Sequence, residues 1–134
     1  MTEKEVKSVL INKLNFSQDS LYKIDIFCQE VIEYNKKFNL IAKSTIKDIW
    51  DRHVLDSAQL IKFINFKDYS SVSDLGTGAG FPGIVLAIFN KNKKFHVKLY
   101  EKSKVKTKFL AKLCEKLNIE AEIFENDYRS HNIT

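Results

Sequence analysis

All four glycines and the single proline of the chain fall in one decapeptide, Asp74-Leu75-Gly76-Thr77-Gly78-Ala79-Gly80-Phe81-Pro82-Gly83. Bare backbone at alternate residues lets a ligand approach the main chain, and glycine accepts the positive φ that a tight turn demands. The helix expected to follow would present free N–H groups and positive potential to an anionic group. Two cofactor classes suit such a turn. Counted from Gly78, Gly-Ala-Gly-Phe-Pro-Gly matches the dinucleotide fingerprint G-x-G-x-x-G, and Glu101 follows 23 residues later, where a ribose-binding acid belongs. Counted from Asp74, the string is D-x-G-x-G-x-G, the pattern of S-adenosylmethionine sites, with Glu101 again placed for ribose hydroxyls. Asp74 favours the second alternative, because a carboxylate beside the ligand opposes a pyrophosphate and suits a cationic sulfonium. A tight turn with a purely structural purpose is the third.

Other positions join this candidate site. Glu101 ends an alternating strand, which sets it apart from an acid scattered among surface lysines. Asp127 and Tyr128 follow the third expected strand, where a carboxylate or a main-chain N–H meets an adenine; a simple turn aspartate fits the sequence equally well.

These residues need elements to hold them. Ser71 to Leu75 reads as a short strand ahead of the glycines, and Pro82, with fixed φ and no N–H, suits the first turn of a helix running through Ile84, Val85, Leu86, Ile88 and Phe89. Phe95, Val97 and Leu99 alternate with His96, Lys98 and Tyr100 as a second strand. Ser103 caps a helix whose Val105, Phe109, Leu110, Leu113 and Leu117 make one stripe, and Ala121 to Phe124 is the third strand. The β-α-β-α-β alternation predicts an α/β fold over residues 67–134, with a parallel, Rossmann-like sheet in the order 3-2-1.

Residues 1–66 read instead as a helical cap. Val6, Leu10 and Leu14 stand four apart; Ser17 then caps a long helix that buries Leu21, Ile24, Cys28, Val31, Ile32 and Phe38 and ends near Asn39. Thr45 with Asp48 resembles a capping box opening another helical stretch toward Ile64.

At 134 residues the chain is one domain or two small halves sharing a core. With 44% hydrophobic and 29% charged residues, disorder throughout is excluded. No apolar run approaches the roughly 18 residues of a membrane span. The opening Met-Thr-Glu-Lys-Glu lacks the basic-then-apolar order of a secretory signal, so a cytoplasmic protein is expected. Cys28 and Cys114 stand far apart, with no C-x-x-C and no His at ligand spacing, which supports neither a disulfide framework nor a metal site. The net charge is +5, and ten lysines lie between Asn90 and Asn118 against only Glu101 and Glu115. Such clustering suits a polyanionic partner, although arginine at only two positions, 52 and 129, points equally to a general bias toward lysine.

Four segments in order, Tyr34-Asn35-Lys36 with Asn39-Leu40, Arg52-His53-Val54-Leu55-Asp56-Ser57, Asp74 through Gly83, and Glu101-Lys102-Ser103 with Lys106 and Phe109-Leu110, carry a resemblance. The chain resembles the bacterial glucose-inhibited division protein B family, methyltransferases of guanine N7 in the 16S ribosomal RNA of the small subunit. The resemblance spans about residues 30 to 118. It implies a Rossmann-like class I methyltransferase fold, S-adenosyl-L-methionine as methyl donor, and 16S rRNA or the small ribosomal subunit as partner. It places Asp74, Gly76, Gly78, Gly80, Phe81, Glu101, Asp127 and Tyr128 around the cofactor. Arg52, His53 and Asp56 become candidates for positioning the substrate. Family members look about half as long again, so a truncated form is expected, with an open edge on strand 1 that invites self-association. A non-catalytic cofactor- or RNA-binding remnant and an NAD-dependent oxidoreductase are the competing functions.

Overall fold

The computed structural model describes residues 1–68 and 70–125. Helix α1 (Glu3–Asn12) opens on a capping box in which the Thr2 hydroxyl accepts from Glu5 N and the Glu5 carboxylate accepts from Thr2 N. Helix α2 (Gln18–Asn35) starts at Ser17, whose hydroxyl accepts from Ser20 N as its sequence position predicts. It buries Leu21, Ile24, Phe27, Cys28 and Val31 on one face.

The helix ends at Asn35 rather than near Asn39. The Asn35 amide oxygen accepts from both Leu40 N (2.8 Å) and Ile41 N (2.9 Å), so the chain turns back where a periodic reading would let it run on. Phe38 is consequently 42% exposed and not on the buried face. The Thr45–Asp48 capping box does not form. Residues Lys43–Asp48 make a 3-10 turn, and the Thr45 hydroxyl donates to Ala42 O instead. A π-helical turn, Trp50–Leu55, follows, then the short α3 (Asp56–Ala58) and a second 3-10 turn, Gln59–Phe63.

Strands β1 (Ser71–Leu75), β2 (His96–Tyr100) and β3 (Glu122–Phe124) form a parallel sheet in the order β1-β2-β3, equivalent to the expected 3-2-1. Asp74 pairs in register with Leu99, and Leu75 with Tyr100. The crossovers are α4 (Gly83–Phe89) and α5 (Lys104–Leu117). Pro82 stands just before α4 rather than in its first turn, after a cis peptide bond from Phe81. Ser103 caps α5 as expected, and Asn118 at φ 52° closes it in the left-handed conformation.

Helix α2 packs against both crossover helices, so the helical region and the sheet share one hydrophobic cluster. Ile84 and Val85 of α4, Leu99 of β2, Leu110 of α5 and Ile24 and Phe27 of α2 are all fully buried within it. Each such side chain stabilises the fold by about 1.5–3 kcal/mol relative to exposure. Among the described residues no helix is long and apolar enough to cross a membrane.

The contact between α4 and the sheet depends on a missing Cβ. A methyl group at Gly83 would overlap Leu99 Cδ2 and lie 2.9 Å from Asp74 Oδ2. Gly83→Ala is therefore expected to lower unfolding free energy by about 1–3 kcal/mol, seen as a lower urea midpoint at unchanged slope. An unshifted midpoint would show that α4 is not held at this separation.

Candidate functional site

The glycine-rich loop joins the end of β1 to α4, at the carboxyl ends of all three strands, where open α/β sheets bind ligands. Gly76, Gly78 and Gly80 have φ of +72°, +57° and +107°, conformations that L side chains seldom adopt. They differ in what lies above them. A Cβ on Gly76 or Gly78 would meet nothing within 4 Å, whereas one on Gly80 would strike Ile84 Cγ1 at 2.5 Å. Gly76 and Gly78 thus present bare backbone to open space, and Gly80 and Gly83 let α4 pack close.

Two carboxylates hold the loop. A single oxygen of Asp74, Oδ2, accepts from Thr77 Oγ1 at 2.5 Å and from Gly83 N at 2.9 Å, tying the loop's first turn to the start of α4. Burial pushes the Asp74 carboxyl above its usual range, against the two hydrogen bonds, with the nearby Glu101 charge adding to the rise. Glu101, 7% exposed, accepts from Gly78 N (3.0 Å) through Oε1 and from Ser103 N (2.8 Å) through Oε2. It therefore couples the loop to the cap of α5. Main-chain bonds from Gly76 N (2.8 Å) and Thr77 N (3.0 Å) to Tyr100 O complete the attachment to β2.

The expected anion site at the helix N-terminus is not present. Helix α4 has seven residues, Gly83 N is bonded to Asp74, and Ile84 N donates to Gly80 O at 2.7 Å. Two of the first-turn donors that would receive a pyrophosphate are thus already taken, one of them by a carboxylate.

The Arg52 to Asp56 segment reaches the loop through one ring. His53, on the π-helical turn, stacks on Phe81 with centroids 5.0 Å apart and planes at 29°. Its Nε2 lies 2.9 Å from Thr45 Oγ1. Burial first, and the Arg52 charge second, pull its pKa below the usual histidine value, with Asp56 opposing. Arg52 and Asp56 are exposed, and among the described residues neither forms an ion pair. The Asp56 side chain makes no hydrogen bond or ion pair with Arg52 or His53 and acts on His53 through its charge; Thr45 and Phe81 hold His53, and Ser57 Oγ donates to His53 O at 2.6 Å. Asp127 and Tyr128 lie outside the described residues.

Sequence reasoning missed Thr77 and Thr45. Thr77, 2% exposed, was visible only as the spacer between two glycines, although a hydroxyl three residues after a strand-end aspartate is a recognisable partner for it. No sequence signal announced the π turn that carries His53.

Lysines surround this end of the sheet. Lys102 follows Glu101, and Lys104 and Lys106 occupy the first turn of α5, which contains no acid. Cations at a helix N-terminus oppose its dipole. Lys104, Lys108 and Lys112 are exposed, while Lys116 is paired with Glu30 of α2.

The family model described as rRNA small subunit methyltransferase G (GidB) matches residues 20–132. The Ribosomal RNA small subunit methyltransferase G of Pelagibacter ubique is 37% identical over 122 residues, covering 88% of this chain and 57% of its own length. The protein of that name from Rickettsia prowazekii is 39% identical over 110 residues, covering 82% of this chain and 56% of its own. The Mycoplasma mycoides relative is 35% identical over 134 residues, covering 93% of this chain and 96% of its own length. The chain thus spans little more than half the length of the first two. With the glycine loop, the two carboxylates and the His53 element all inside the matched region, the chain belongs to the rRNA small subunit methyltransferase G (GidB) family.

Proposed function

We propose that the loop between β1 and α4 binds S-adenosyl-L-methionine and that the chain serves transfer of its methyl group to guanine N7 of 16S rRNA in the small ribosomal subunit. The observation that carries this reading is the open space above Gly76 and Gly78, on a loop that Asp74 and Glu101 tether. A cationic sulfonium suits a loop held by two carboxylates. A dinucleotide pyrophosphate would meet Asp74 where it needs free N–H groups, which disfavours the oxidoreductase alternative.

The cofactor supplies an electrophilic methyl on positively charged sulfur. Guanine N7 carries a free lone pair at neutral pH, so the chain need not remove a proton. Its own contribution is placement and electrostatics. Rigid tethering of the loop by Asp74 and Glu101 fixes where the methyl stands, and positioning of two reactants can supply several kcal/mol. The carboxylates favour positive charge at that end of the sheet as it passes from sulfur to base. Lys102, Lys104 and Lys106, beside the same opening, supply cations for RNA phosphates, at the expense of an unfavourable encounter with the α5 dipole. Asp127 and Tyr128 complete the adenine end in this reading.

Gly78→Ala would point a methyl into the cradle. The variant should lose about 1–2 kcal/mol of stability from its left-handed φ and bind S-adenosylmethionine at least tenfold more weakly by calorimetry. Undiminished affinity would mean the ligand does not contact this backbone.

Asp74→Asn separates charge from tethering, since one amide oxygen can accept both bonds that Oδ2 accepts now. The folded-state pKa lies above the ordinary 3.8, so ionisation costs stability as pH rises through that window. The variant should therefore be at least as stable as the parent at pH 7, with the difference shrinking toward pH 4. At the same time it should bind S-adenosylmethionine more weakly relative to the uncharged product S-adenosylhomocysteine. A variant destabilised at neutral pH, or an unchanged ratio of the two affinities, would contradict this role.

RNA affinity should fall as salt rises, and Lys104→Ala with Lys106→Ala should flatten that slope by about two phosphate contacts. A salt-independent affinity would remove the lysines from the interface.

A further inference from the structure

His53 is held in one tautomer by a residue outside the matched motifs. The Thr45 hydroxyl has one proton, and it goes to Ala42 O at 2.7 Å, an oxygen that can only accept. Toward His53 Nε2, 2.9 Å away, Thr45 Oγ1 can then only accept, so Nε2 carries the imidazole proton. Burial and the Arg52 charge favour the neutral ring. The other nitrogen, Nδ1, is left with a lone pair and has no hydrogen-bond partner among the described residues. Stacking on Phe81, within the glycine-rich decapeptide, places this acceptor beside the loop.

Adenine and guanine both offer N7 as a nucleophile. They differ on the edge that pairs with other bases, where guanine has N–H donors at N1 and on its 2-amino group and adenine has an acceptor at N1. Adenine's 6-amino group also donates on that edge, so the position that separates the two is N1, where an acceptor is bonded by guanine N1–H and opposed by the adenine lone pair. We infer that His53 Nδ1 is such an acceptor, receiving the N1–H of the target guanine, and that Thr45 is the positioning residue that fixes the tautomer. The inference rests on the methyl-transfer reading above and adds the group that selects the base. A site built around such a bond discriminates strongly against a partner lacking the donor, because the acceptor, covered by the bound base, is then left unpaired.

The test uses the full chain, S-adenosylmethionine, and small-subunit RNA carrying guanosine or adenosine at the methylated position. Nitrogen-15 spectra of the parent at neutral pH should give His53 protonated at Nε2 and unprotonated at Nδ1. His53→Gln keeps a donor in the ε position but loses the δ acceptor, and its guanosine-over-adenosine ratio of kcat/KM should fall at least tenfold. His53→Asn, which puts an amide oxygen near the Nδ1 position, should retain more of that ratio. Thr45→Val should lower it too, and Thr45→Ser should restore it, all with unchanged cofactor affinity. An Nδ1-protonated ring, or a ratio unchanged in both His53→Gln and Thr45→Val, overturns the inference while leaving methyl transfer intact. A parent chain that neither binds S-adenosylmethionine nor methylates RNA refutes the underlying reading instead.

Discussion

A single carboxylate oxygen organises this site. Asp74 Oδ2 reaches three residues forward to a hydroxyl and nine forward to a main-chain N–H, and in doing so closes the glycine loop on itself. A loop with three positive-φ glycines has large conformational freedom in the unfolded chain, and two side-chain anchors confine it. Asp74 provides one. Glu101 provides the other, through Gly78 N and the cap of α5. The buried charge is costly, as the raised pKa of Asp74 reflects, and the two hydrogen bonds offset only part of that cost. Buried charge concentrated on one tethered loop is what preorganises its backbone.

The rest of the fold serves that loop. Gly80 and Gly83 allow α4 to approach the sheet closely enough for Gly83 N to meet Asp74, while Leu99, in register with Asp74, fills the space beneath. The helical region adds a second boundary by packing Phe27 and His53 against Phe81. In this way residues distant in sequence converge on Phe81 at the end of the loop.

Much of this was legible in the sequence, for reasons that are local. Alternation in Phe95 to Tyr100, the serine caps at 17 and 103, and the concentration of every glycine in one string all follow from short-range rules, and they returned the strands, two helix starts and the loop correctly. The failures arose where a side chain competed with the helix. Asn35 captured two backbone N–H groups and stopped α2 early, and Thr45 gave its proton to a carbonyl rather than capping a helix. Periodicity cannot register such competition. The occupied N-terminus of α4 was likewise hidden, since nothing in the string Asp74 to Gly83 says that the aspartate will fold back onto the last glycine. The two glycine classes, open at 76 and 78 and packed at 80 and 83, became distinct only in three dimensions.

Mapping amide chemical shifts during titration with S-adenosylhomocysteine tests the central claim most directly. Saturable shifts confined mainly to Gly76, Thr77, Gly78, Glu101 and Ser103 are predicted, because those N–H groups lie in or beside the tethered backbone. Shifts absent at saturating ligand, or centred on a different part of the molecule, would contradict the account.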